Sequence, residues 1–200
     1  NYYLCSMKLK RKHIFVGTAL LLAVIICAGL VLLCLGGTPR QAVILVPPGA
    51  SEQMVNDSLA KYYGRDYAAS LQRTASLLGL KLHGHPGRYE IGKGTSRLQA
   101  AWRIGKGRQS PVRLTYNNLR TRADITRAVA ARFCFTPAQL DSALSDASLM
   151  AGYGLTPDNA DALFLNNTIE AWWTDSPRKV IERVGKVYTS FWTDGRREKA

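Results

Sequence analysis

Val112-Arg113-Leu114-Thr115-Tyr116 alternates apolar and polar side chains without a break. A period of two is the mark of a strand with one buried and one wet face. Upstream, Thr95 or Ser96 caps a predicted helix carrying Leu98, Ala101 and Trp102, and Arg88 to Ile91 reads as a short strand after a Pro-Gly turn. Further back, Ala42 to Val46 is a compact apolar run closed by Pro47-Pro48-Gly49, which reads as another strand. Between the two early strands, Ser51 caps a helix with Met54, Val55, Leu59 and Tyr62 on one face. Leu71, Ala75 and Leu78 mark a second helix, ended by Gly79.

Downstream of residue 120 the pattern turns helical. Ile125, Val129 and Phe133 share a face. Thr136-Pro137, Thr156-Pro157 and Ser176-Pro177 each set a capping hydroxyl before a proline at the first helical position. The last helix carries Val180, Ile181, Val184, Val187, Tyr188 and Phe191 at helical spacing. Short strands mixed with helices predict an α+β fold. The length of 200 residues allows one or two domains, and 46% hydrophobic with 20% charged residues excludes a disordered polymer, a collagen or a coiled coil.

Ile14 to Leu35 holds 22 residues with no charge and no proline. At about 1.5 Å per residue this reaches roughly 33 Å, which predicts a single transmembrane helix over residues 13–35. The run is longer than the about 7–15 apolar residues of a cleavable signal peptide. Lys8, Lys10, Arg11 and Lys12 precede it, whereas Arg40 is the only basic residue in the twenty that follow. That bias predicts a cytoplasmic tail at 1–12 and the bulk of the chain outside. Gly36 to Pro39 reads as a linker, and Cys134, the one cysteine beyond the apolar run, as a buried core residue.

Charge changes sign along the chain. Residues 61–132 hold fifteen basic and three acidic residues, and residues 133–177 hold six acidic and none basic. The basic stretch, with its interleaved tyrosines, has the composition of a nucleic-acid binder. Export argues against nucleic acid as a partner.

Two stretches carry a resemblance. The first is Gly87-Arg88-Tyr89-Glu90-Ile91, then Gly94-Thr95-Ser96, a helix, Gly105-Lys106-Gly107 and Pro111-Val112-Arg113-Leu114-Thr115. The second is Leu163-Phe164-Leu165-Asn166-Asn167-Thr168-Ile169-Glu170-Ala171-Trp172-Trp173, then Ser176-Pro177 and a helix ending Phe191-Trp192. In this order they resemble the YceG-like endolytic murein transglycosylases, in the form found in Bacteroidetes. Asn166 stands where the family usually has proline, and Ile169 where it has an aromatic. The resemblance implies a LysM-like subdomain over 41–116 and, over 117–200, the first part of a mixed, mostly helical catalytic domain. It implies cleavage of the MurNAc–GlcNAc bond to leave 1,6-anhydro ends, which terminates nascent glycan strands. It places the protein in the bacterial inner membrane with its bulk in the periplasm. Peptidoglycan strands and the cell-wall synthesis machinery are the implied partners, with no cofactor and no metal. Acidic muramyl peptides or anionic lipid heads would then suit the basic stretch. The family's catalytic glutamate lies downstream of the Phe-Trp helix, and no position of this chain matches it.

A lytic transglycosylase needs one carboxyl that protonates the leaving oxygen and then acts as base, since the sugar's own 6-hydroxyl is the nucleophile. Such an acid calls for apolar surroundings. Glu170, in an aromatic-rich stretch, is the in-chain candidate, against its alternative reading as a glutamate on an exposed strand face. Trp172 is a candidate platform for a sugar ring, and Asn167 and Thr168 are candidate partners for sugar hydroxyls. Adjacent strand residues point to opposite sides, so of Trp172 and Trp173 at most one faces a cleft. Two other readings stand beside the enzyme. One is a non-catalytic LysM-like peptidoglycan-binding module tethered to the membrane. The other is a basic tethered protein that recognises lipid or nucleic acid.

Overall fold

The computed structural model describes residues 16–29, 31, 36–116, 121–192 and 196. From residue 42 onward the chain is α+β, with its apolar side chains gathered in two clusters. The first lobe runs β1 (Ala42–Val46), α1 (Glu52–Tyr63), α2 (Arg65–Leu77), β2 (Gly87–Ile91) and α3 (Arg97–Gly105). The second runs β3 (Val112–Tyr116), α4 (Arg122–Ala130), α5 (Pro137–Leu144), α6 (Ala147–Ala151), a 3-10 helix (Pro157–Leu163), β4 (Asn167–Ala171) and α7 (Pro177–Phe191).

The expected transmembrane helix is corrected by the structure. Among the described residues no helix is long and apolar enough to cross a membrane. Residues 16–29 form an unbroken helix. Residues 13–15, 30 and 32–35 of the expected span, and the expected tail at 1–12, lie outside the described residues.

β1 and β2 pair antiparallel, with Ile44 opposite Tyr89 and Leu45 opposite Arg88. Strict alternation sends Ala42, Ile44, Val46, Tyr89 and Ile91 into the core. Val43, Leu45, Arg88 and Glu90 stay on the outer face. Ser51 caps α1, accepting from the Met54 amide at 3.2 Å. Gly64 (φ +90°) ends α1 and opens α2, a backbone conformation that L side chains avoid. α2 closes at Gly79 (φ +64°), where the Leu80 amide donates back to the Ala75 carbonyl at 2.8 Å.

Gly36 to Thr38 is more than the expected linker. The Thr38 amide donates to the Thr95 carbonyl and the Gly94 amide to the Thr38 carbonyl, each at 2.9 Å, and Thr38 Oγ1 donates to the Gly92 carbonyl. These bonds bury Thr38 and bind the segment to the turn between β2 and α3.

β3 pairs antiparallel with β4, fifty-odd residues on, with Leu114 opposite Ile169 and Arg113 opposite Glu170. Val112, Leu114 and Tyr116 enter the second cluster with Ile169, Ala171 and the buried face of α7. The apolar side chains therefore divide between Ile104 and Val112. Thr136 and Ser176 cap their helices as the hydroxyl-proline pairs predict. Thr156 opens a 3-10 helix rather than an α-helix.

Candidate functional site

The outer face of β1 and β2 is one wall of a cleft of about 360 Å³ between the lobes. Val43 and Leu45 supply its apolar part, and Arg88 and Glu90 its charge. Pro111, Val112, Arg113, Ala131, Arg132 and Trp173 complete its lining. The volume falls within the range of small-molecule sites, about 300–1,000 Å³.

Hydrogen bonds fix this geometry. The Ser110 amide donates to the Arg88 carbonyl at 2.7 Å, and the Glu90 amide to Ser110 Oγ at 3.1 Å. The Arg88 guanidinium donates to the Pro111 carbonyl at 3.2 Å and meets Glu90 Oε2 at 3.2 Å. The connection between the lobes is thereby held along β2. In the second lobe the Cys134 amide donates to the Trp173 carbonyl at 3.0 Å, tying the end of α4 to the end of β4. Trp173 is half-buried, with part of its ring against the second cluster.

Two of the cleft's charges cancel. Glu90 faces Arg88 through one oxygen and accepts from Gln41 Nε2 at 2.8 Å through the other. Arg113 reaches Glu170 across the β3–β4 ladder at 3.5 Å, but the two side chains are 78% and 62% exposed. Water weakens such a pair to about 0–1 kcal/mol. Arg132, just past the end of α4, makes no side-chain ion pair or hydrogen bond among the described residues. The cleft therefore presents uncompensated positive charge beside apolar surface.

The residues singled out in sequence fall around this cleft rather than inside it. Glu170 lies on the wet face of β4, joined to the cleft through Arg113. It has none of the apolar enclosure the acid role calls for. Thr168 shares that face and bonds Thr115 Oγ1 at 2.9 Å. Trp172 is 42% exposed, with its amide held by Asp175 Oδ2 at 3.0 Å. Buried Asp175 also accepts from Arg183 at 3.0 Å, so it locks the turn from β4 into α7. Asn167 borders a separate hollow with Asn166, Val187 and Phe191. Of the two tryptophans it is Trp173 that lines the cleft. Cys134 is corrected: it is exposed, because it sits past α4 where the chain turns toward Trp173. Among the described residues no cluster of three or more His, Cys, Asp or Glu is placed to hold a metal ion.

Arg88, Arg113 and Arg132 were not singled out by the sequence as site residues. Arg88 and Arg113 occupy the polar phase of their alternating strands. Nothing local in the sequence tells that both wet faces border one cleft with Arg132.

No protein-family model matches the sequence, and no curated protein does. A solved structure of a YceG-like protein from Listeria monocytogenes superposes with a TM-score of 0.42 at 17% identity. The chain is similar to that protein. The match covers 80% of this chain and 58% of the other, so the chain spans less than two thirds of the neighbour's length. A likeness of this degree leaves the functional reading to the residues themselves.

Proposed function

We propose that the chain binds peptidoglycan glycan in the cleft between its lobes, as the substrate-holding part of a YceG-like endolytic transglycosylase. The observation that carries this reading is the cleft itself. Its walls come from separate lobes, and it joins an indole ring, apolar side chains, the weakly paired Arg113 and Arg132, which has no side-chain partner among the described residues. An aromatic face suits the apolar face of a pyranose, and the arginines suit the carboxylates of muramyl peptides. The strand, helix, helix, strand order of the first lobe supports a LysM-like reading of it. The quoted motif order supports the family. The reading sets the bulk of the chain on the periplasmic side of the inner membrane, where the polymer and the synthesis machinery are.

In the reaction one carboxyl would protonate the glycosidic oxygen as its bond to the muramyl C1 breaks, and the resulting carboxylate would take the proton of the 6-hydroxyl as that oxygen closes onto C1. The acid that starts it must be an enclosed carboxyl. Glu90 is committed to Arg88 and Gln41, and Glu170 stands in solvent. This favours a second reading, in which these 200 residues bind glycan without cutting it.

Incubation with purified sacculi separates the outcomes. The chain should co-sediment with the sacculi, and mass analysis should find no new 1,6-anhydro ends. Failure to sediment at low salt would overturn the glycan reading. New anhydro ends would overturn the binding-only role and make Glu170→Gln the next variant.

A further inference from the structure

We infer that Arg113 and Arg132 form a carboxylate clamp in the interlobe cleft, and that Glu170 competes with the ligand for Arg113. The inference rests on the glycan reading and names what the cleft recognises: the free carboxylate of a peptide carried on a muramyl sugar.

Three observations lead there. Arg88 points into the cleft but is spent on Glu90 and on the Pro111 carbonyl, so it shapes the wall rather than offering a free hand. Arg132 lines the same cleft with an uncommitted guanidinium. Arg113 is committed only to an exposed carboxylate at 3.5 Å, a contact that a better-placed anion would displace at little cost. Val43, Leu45 and the half-buried Trp173 bring apolar surface to the same cleft. A guanidinium fork matches a carboxylate edge, and the bond between them is charge-assisted. The apolar wall asks that the anion be borne on a body with an apolar face. A hydrated inorganic ion has none.

The clamp makes Glu170 an internal competitor. Removing its charge frees Arg113, so Glu170→Gln should tighten binding. A purely structural cross-strand pair would leave the affinity unchanged or lower it.

The test is calorimetric titration of the 200-residue chain with three probes. They are a disaccharide muramyl tetrapeptide with free carboxylates, the same compound with its carboxylates amidated, and the sugar-free acidic peptide. Expected are measurable binding of the first probe and about tenfold weaker binding of the second. Arg132→Gln should lose about tenfold for the first probe and nothing for the second. Glu170→Gln should gain a few-fold for the first probe only. Arg127→Gln makes the same charge change on α4 away from the cleft and should match the wild type. Melting curves establish that each variant is folded. Unchanged affinity in folded Arg132→Gln would overturn the clamp and leave the glycan reading standing. So would the absence of any binding of the muramyl tetrapeptide by a chain that still sediments with sacculi. Equal, Arg132-dependent binding of the sugar-free peptide would uphold the clamp and overturn the glycan reading.

Discussion

Single residues show how far burial alone sets the chemistry of this chain. Tyr67, Tyr89 and Tyr116 are buried, and desolvation pushes each phenol up to about 12 from its ordinary 10. A folded value above the unfolded one means that the neutral form is favoured by folding. This contribution is fully present below pH 10 and is lost as pH rises from about 10 to about 12. Phenolate absorbance should therefore show a fraction of the tyrosines titrating late, together with loss of the fold, while the denatured chain titrates in one step near 10. A single native step near 10 with the fold intact would contradict this placement. At the same scale, local chemistry was legible in the sequence. Ser51, Thr136 and Ser176 cap their helices as read, and of Thr95 and Ser96 it is Ser96 that caps α3, because a cap depends on a hydroxyl and an amide three residues apart. Cys134 and Thr38 were misplaced, since the exposure of the one and the burial of the other are set by distant backbone. Trp102, read on one helix with Leu98 and Ala101, is exposed and stacks under Arg108 at 3.9 Å.

Elements are held together here by a few side chains with several bonds each. Arg122, at the start of α4, reaches Asp141 Oδ1 on α5 at 2.7 Å, Ser145 Oγ at 3.0 Å and the Pro157 carbonyl at 2.6 Å. One guanidinium thereby fixes the crossing of α4 and α5 and the entry to the 3-10 helix. An ammonium cannot supply that fork, so Arg122→Lys should cost about 1–2 kcal/mol, or a few degrees of Tm. Arg127→Lys on the same helix is three-quarters exposed and should stay within about 0.5 kcal/mol of the wild type. Equal melting of the two variants would show that the Arg122 contacts carry no stability. Element types were mostly readable from periodicity, because the two periods and the hydroxyl-proline pairs are local signals. The pairing of β3 with β4 was not, since it joins Thr115 to Thr168 across a helical insertion.

The whole molecule is two apolar clusters with a charged seam. The basic stretch covers most of the first lobe and the entry to the second, and the acidic stretch lies wholly in the second. The charge division was legible in the sequence, whereas the cleft was not, because Arg88 and Arg132 come to line one cleft only through the relative placement of the lobes. The central claim is that an acidic glycan sits in this cleft. The most direct measurement is amide and indole chemical-shift mapping of the labelled chain during titration with the muramyl tetrapeptide disaccharide. The account predicts the largest shifts at Leu45, Arg88, Arg113, Arg132 and the Trp173 indole, from both lobes at one ligand concentration. Shifts confined to Asn167, Thr168 and Trp172, or to one lobe alone, would contradict it.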